Sequence, residues 1–424
     1  MKKTILNLLL LTIALNSCNK NSNSNNKETE KFGEEISSSN LFKKQQDVPY
    51  TLIDTKEGTD LDIDVLLKKI ADDQEYVSLD SKVLIGNIDK VLVYKDIIYI
   101  LDANIGEKIF IFNMNGRLIK SIESKGQGPK EYTGLADMNL DTMNNELIIN
   151  DSRSPRLIHY TLDGNFLRKS PSKPSVEFAI LNDDISLLTM IEGQSYNKNI
   201  NYGLIVVKKD SVIRKGFQLE SFQSSIPASF SMIKNSMGEL LFTPIGSDTV
   251  YQILSDSAYK IRYVIGLKKS IWSYCKNTKD PFSNKKYKDL IIDDGYSCFS
   301  GRFFETDKFI SFDVFQQPNS TIKRPVVKNY IYNKQLNELY SFDPFTKKDE
   351  LYLKKISQIG SILPPAPISI YGNRFISVFP TEYMSRLKDA CKDRKQFIKN
   401  NKFKQIIEQF PKEGNPVLVF YKFK

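Results

Sequence analysis

The chain has 424 residues, among them 21 tyrosines and 26 phenylalanines but a single histidine, and its formal net charge is +10. One histidine excludes any site built from several imidazoles. The positive charge is diffuse apart from residues 388–404, a pattern that serves solubility and argues against nucleic acid as a partner.

The first 17 residues carry Lys2 and Lys3 followed by the apolar run Ile5 to Leu15, the layout of a secretory signal too short to span a bilayer comfortably. Leu15-Asn16-Ser17-Cys18 is similar to a lipobox, which makes Cys18 the expected site of lipid attachment. An ordinary signal peptide containing a cysteine is the alternative. Residues 18–48 are expected to be a lipidated flexible tether: the tract NKNSNSNNKETE over 19–30 holds no apolar residue and cannot offset the entropy of ordering. No later stretch approaches about 18 apolar residues, so contact with the membrane is expected through the lipid alone.

Residues 50–73 mix extended and helical signals, with Val65, Leu66 and Ile70 placed to form one short apolar helical face. Residues 74–80 (QEYVSLD) alternate and read as a strand with no sheet of its own. From 91 to 132 four runs of β-branched and aromatic residues are broken at Lys95-Asp96, Ala103 to Glu107 and Asn115-Gly116, the last a hairpin signal. The unit repeats over 140–170: Asp102 falls on Asp151, and Asn115-Gly116 on Asp163-Gly164. Four strands recurring at about 40 to 50 residues are the signature of a β-propeller blade.

Further units follow at 176–219, 229–265 and 297–342, and a sixth begins at 368–379 and resumes at 417–423 (VLVFYKF). The connections 268–293, which holds Trp272 and a basic run at 284–288, and 343–364 read as long links. The sixth unit has three strands, and the orphan strand at 74–80 supplies the fourth, closing the ring. A helical insertion over 381–411 has Tyr383, Met384, Leu387 and Cys391 on one face and Phe403, Ile406, Ile407 and Phe410 on another. Strand alternation places it on the side of the blade connections, over one mouth of the central channel. The expectation is an all-β, six-bladed β-propeller over residues 49–424, with the N-terminal strand closing the last blade and the insertion in blade six.

Candidate chemistry is sparse. His159 sits mid-strand, where a packing or surface role is expected. Asp102 and Asp151, at equivalent strand ends, could offer hard oxygens to calcium, but an aspartate there more often bonds the next backbone amides. The stretch over 126–132 (GQGPKEY) lacks the Lys-Ser/Thr of a phosphate loop, and its plain role is a turn between blades. Its functional reading is that Lys125, Gln127, Glu131 and Tyr132, with Arg153 and Arg156 of blade two, line a ligand pocket. The aromatic residues fall mostly within strands and belong first to blade packing, although aromatic faces also stack on sugars. Cys275, Cys298 and Cys391 are odd in number; a Cys275–Cys298 disulfide and buried free thiols both remain open.

The residues Gly126-Gln127-Gly128-Pro129-Lys130-Glu131-Tyr132, together with Glu75 to Leu79, Asp248-Thr249-Val250-Tyr251 and Asn415 to Val419, resemble the marks of the six-bladed β-propeller lipoproteins of Gram-negative gut bacteria, from residue 74 to 424. Lys130 stands where a glycine is usual, which bears on the turn and leaves the fold untouched. The resemblance implies an NHL-like propeller, lipid-anchored or exported, with no established general activity. The acids that favour surface display are missing directly after Cys18, where Asn19-Lys20-Asn21-Ser22 follows, so an outer-membrane lipoprotein facing the periplasm is implied. The expected function is binding a glycan, a peptide or an envelope protein, with no cofactor, no metal and no recognisable catalytic set. The alternative is a propeller hydrolase or lyase that uses oxygen-ligated calcium or a Lys/Tyr acid–base pair at the channel mouth.

Overall fold

A computed structural model describes residues 41–61, 63–70, 74–151, 153–182, 185–189, 202–209, 211–226, 231–283, 285–317, 325–342, 366–391, 401–411 and 414–424. The expected signal segment, Cys18, the expected tether up to residue 40, residues 190–201 within the third unit and the connection at 343–364 lie outside them.

Six antiparallel sheets form an all-β, six-bladed propeller. Blade 1 has strands Lys90–Tyr94, Ile97–Asp102, Lys108–Asn113 and Leu118–Ile122, and blade 2 has Leu135–Asp141, Glu146–Asp151, Arg156–Thr161 and Phe166–Pro171. Blades 3 to 5 run from Phe178–Asn182 to Ser211–Gln218, from Ser231–Lys234 to Ala258–Gly266, and from Cys298–Glu305 to Glu338–Phe342. The first strand of each blade lies innermost, beside its counterparts around the axis.

Alternation along a strand explains the core. Ile98 and Ile100 point into the seam with blade 6, while Tyr99 and Leu101 point into the seam with blade 2. Both faces are covered, so central strands such as Ile97–Asp102 are nearly all apolar and buried. The buried apolar side chains of the described residues fall into clusters at the six seams.

Blade 6 is assembled from both ends of the described chain. Its strands are Ser369–Tyr371, Arg374–Phe379, Val417–Tyr421 and Gln74–Ser78, the last pairing antiparallel from Ser78↔Val417 to Gln74↔Tyr421. Gly116, in the outer turn of blade 1, fits against this strand only as glycine: its φ is +77°, and a Cβ there would lie 2.0 Å from the Ser78 carbonyl oxygen.

Three features differ from the sequence expectation. The segment before blade 6 is bound to the propeller from residue 41, so residues 41–44, expected within a tether over 18–48, pair with the blades instead. Leu41 bridges to Lys215 of blade 3, Lys43–Lys44 and Thr51–Asp54 add parallel to the outer strand of blade 4, and Thr59–Asp60 adds parallel to that of blade 5. Backbone pairing to otherwise bare sheet edges carries no strong sequence signature. Helix Ile63–Ile70 then leads to blade 6; Leu66 is buried, whereas Val65 is exposed and does not share its apolar face.

The insertion, secondly, forms helices Thr381–Cys391 and Asn401–Gln409, whose Met384, Leu387, Phe403 and Ile407 are buried. They pack on blade 6 itself rather than capping the channel: Phe403 stacks 3.8 Å from Tyr76 of the outermost strand and 5.7 Å from Phe379. Apolar side chains there are better covered by their own blade than by a water-filled mouth. The side chain of Cys391 lies outside the described residues. Thirdly, the connection after blade 4 holds two six-residue helices, Ile271–Lys276 and Tyr287–Ile292, too short for a periodic signal. Cys275 and Cys298 beside them are buried free thiols.

The seam between blades 4 and 5 is tied by one carboxylate. Glu305 is fully buried and accepts from Arg262 (2.9 and 3.2 Å), Tyr263 (2.6 Å), Asn235 (3.0 Å) and Lys334 (3.0 Å). Burial alone would raise its pKa, but the Arg262 and Tyr263 hydrogen bonds outweigh this and hold it below the ordinary range. Glu305→Ala is expected to cost about 3 kcal/mol, because Lys334 loses its carboxylate and Arg262 keeps only that of Glu239, at 2.9 Å; a change below about 1 kcal/mol in urea unfolding would show that the seam does not depend on it.

Candidate ligand-binding face

Strand alternation opens the turns between second and third strands and the connections between blades on one face of the ring. On blades 6, 1 and 2 this face carries residues 79–89, 103–107, 123–134 and 153–155, and the insertion helices stand beside them on blade 6.

Buried polar side chains hold these loops in place. Asp102 accepts from the backbone N–H of Gly86 (2.7 Å), Gly106 (2.8 Å) and Ile105 (3.3 Å). Asp151, its counterpart one blade on, accepts from the N–H groups of Thr133, Gly134 and Arg153 and from the Thr133 hydroxyl. Thr189 takes the place in blade 3, its Oγ1 accepting from the Glu177 amide at 2.9 Å. Asp89 accepts from Ala103 and Asn104, and Asn415 accepts from the Ile85 amide while donating to the carbonyls of Asp80 and Val83. The recurring aspartates are therefore loop anchors with their oxygens engaged by amides, and no group of three or more acidic, histidine or cysteine side chains arranged for a metal occurs among the described residues. The parts played by Asp89 and Asn415 were missed in the sequence because their partners are backbone groups many residues away.

The residues proposed from the sequence separate into two sets. Tyr132 is fully buried, and its hydroxyl donates to the Glu107 carbonyl at 2.5 Å; burial pushes its pKa up, so it is a pillar of the blade 1–blade 2 seam. Glu131 folds back onto its own loop, accepting from the Gly128 amide at 2.7 Å. Lys169, on the outer strand of blade 2, caps the same loop through the carbonyls of Gly128 and Glu131. Lys125 is ion-paired with Glu107, and Arg153, 65% exposed, lies 3.8 Å from the other oxygen of that carboxylate. Gln127 is exposed and Arg156 half-buried. The structure thus joins Lys125 and Arg153 through Glu107, leaves Gln127 at the surface, and turns Glu131 and Tyr132 to structural use.

Beside this charged cluster stand two apolar side chains that sequence patterning did not single out. Leu84 and Ile105 are 69% and 68% exposed. Their loops touch closely, since a Cβ on Gly86 would lie 2.4 Å from Ile105 Cγ2. Deeper, on the inner strands, Lys90 pairs with Asp137 at 2.7 Å, and Glu177 accepts from the Met232 amide at 3.0 Å. Burial, then the Asp137 carboxylate, pushes Glu177 up to about 8.

Asp102→Ala is expected to cost about 1–3 kcal/mol per buried amide left without a partner, and to speed hydrogen exchange at Gly86 and Gly106 while exchange in blade 4 stays unchanged. Unchanged exchange at those amides would show that the loop is held by something else.

Comparison with known proteins adds the following. The model of a family described as "Domain of unknown function (DUF4934)" matches residues 50–422. The curated proteins give no match. Among solved structures, a candidate exported protein from Bacteroides fragilis NCTC 9343 superposes with a TM-score of 0.70 at 17% identity, over 88% of this chain and 100% of that one, which bears on the fold alone. A member of the DUF4221 family from Bacteroides vulgatus ATCC 8482 gives 0.46 at 10% identity, over 83% and 96% of the two chains. A virginiamycin B lyase from Staphylococcus aureus gives 0.35 at 11%, over 65% and 75%.

Proposed function

This chain belongs to the DUF4934 family, and from that premise we propose that it is an exported, lipid-anchored β-propeller that docks a protein or peptide partner on the loop face of blades 6, 1 and 2. The observation that carries this reading is the pair Leu84 and Ile105, held out into solvent on loops pinned by Asp102 and flanked by Lys125, Glu107 and Arg153. Exposed apolar side chains on rigid loops lose little entropy when a partner covers them. The charged rim suits a partner with an apolar centre and acidic surroundings, the charges setting register more than affinity.

The address rests on the lipobox-like residues ending in Cys18, and the description of the B. fragilis neighbour as exported accords with it. The residues after Cys18 favour the periplasmic side of the outer membrane.

Two experiments test this reading. A photo-crosslinking residue at Ile105 is expected to capture a discrete partner in cells, one at Met143 in a turn of the opposite face is not, and Leu84→Asp with Ile105→Asp is expected to abolish the capture with no change in circular dichroism. Equal capture at both positions would overturn the docking face. Cys18→Ser is expected to move the protein from the membrane pellet to the soluble fraction and to abolish palmitate labelling; retention in the pellet would mean that the anchor lies elsewhere.

A further inference from the structure

His159 lies in the third strand of blade 2 and is 7% exposed. Its Nδ1 is 2.8 Å from Glu146 Oε2 on the second strand, and its Nε2 is 2.8 Å from Ser170 Oγ on the outermost strand. Arg168, two residues before Ser170, grips both oxygens of Glu146 at 2.5 and 2.9 Å. Burial alone would raise the Glu146 carboxyl, but the hydrogen bonds from Arg168 and His159 outweigh it and hold it below the ordinary range. Glu146 is therefore ionised and can only accept.

That fixes the histidine. Nδ1 carries the proton donated to Glu146, Nε2 keeps its lone pair, and the Ser170 hydroxyl donates to it. Burial also holds the imidazole below its ordinary value, so it is neutral at pH 7. An oriented neutral imidazole accepting from a serine hydroxyl is the ground state that nucleophilic catalysis by serine requires.

Ser170 is not sealed in the core. It is half-buried on the outermost strand of blade 2, and among the described residues no segment adds to the free edge of that sheet, whereas blades 4 and 5 have theirs covered. The set faces the seam between blades 2 and 3, whose apolar cluster is small, and Arg168 is 52% exposed on the same face of the strand.

We propose that Ser170, His159 and Glu146 act as nucleophile, base and orienting carboxylate at the rim of blade 2, cleaving small carboxylic esters. Ser170 Oγ bonds to the ester carbonyl carbon as its proton passes to His159 Nε2, and the imidazolium is held by Glu146. Collapse breaks the carbon–oxygen bond to the alcohol, which leaves with the proton from Nε2. Water, deprotonated by the same nitrogen, then releases the acid and restores Ser170. Arg168, with both terminal nitrogens on Glu146, keeps that carboxylate ionised and so keeps the imidazole oriented. This activity is separate from partner docking on the loop face and does not depend on it.

The test treats the full chain with a fluorophosphonate probe and with p-nitrophenyl acetate. The expected result is a probe adduct mapped to Ser170 by peptide mass, and ester hydrolysis at least about 100-fold lower in Ser170→Ala and in His159→Gln. Hydrolysis should also fall in acid with a midpoint below the ordinary histidine range. Ser170→Ala leaves the buried His159 Nε2 without its donor and is expected to lower the unfolding midpoint while the protein stays folded; the probe adduct mapped on the wild-type chain reports on chemistry independently of that loss. A ladder that merely braces the blade gives no adduct at Ser170 and equal hydrolysis in wild type and Ser170→Ala, and either result overturns the proposal.

Discussion

The ring depends on one backbone pairing, that of Gln74–Ser78 with Val417–Tyr421. Without it blade 6 would end on Val417–Tyr421, a strand buried at every position, and an apolar edge would face water. The strand that covers this edge comes from the other end of the described chain, so the ladder closes the ring as well as completing a sheet. Tyr76 in its middle is also the platform on which the insertion packs through Phe403. The same stretch of chain, on its way to that position, adds strands to blades 4 and 5, so one N-terminal run of backbone serves several sheet edges.

Around this frame, carboxylates do the local work. Asp102, Asp151 and Asp89 collect backbone amides of loops that could not satisfy one another, and Glu305 collects the cations of a seam. A buried carboxylate is tolerable only with its lone pairs filled, and once they are filled the loops around it can move little. That rigidity is what lets Leu84 and Ile105 stand in solvent as a fixed surface.

Much of the architecture was legible because it is local. Alternation within strands, the glycines of Asn115-Gly116 and Asp163-Gly164 with their positive φ, and the recurrence of Asp102 at Asp151 are all properties of short stretches. The site was less legible. Tyr132 and Lys125 sit seven residues apart in one polar loop, yet Tyr132 is buried and Lys125 exposed, a distinction made by the packing of blade 2 against blade 1. The short helices at 271–276 and 287–292 left no periodic signal, and the insertion's position on blade 6 rather than over the axis follows from the aromatic contacts of Phe403.

The sequence by itself determined the number of blades, their strand order and the borrowed closing strand, because these follow from periodicity and from the count of strands left over at each end. Only the tertiary structure decided which polar residues are partners. Glu146, His159 and Ser170 lie on three different strands, and Asn415 holds a loop more than three hundred residues away; hydrogen bonding is short-ranged in space and indifferent to separation along the chain, so its pairs exist only once the sheets are stacked.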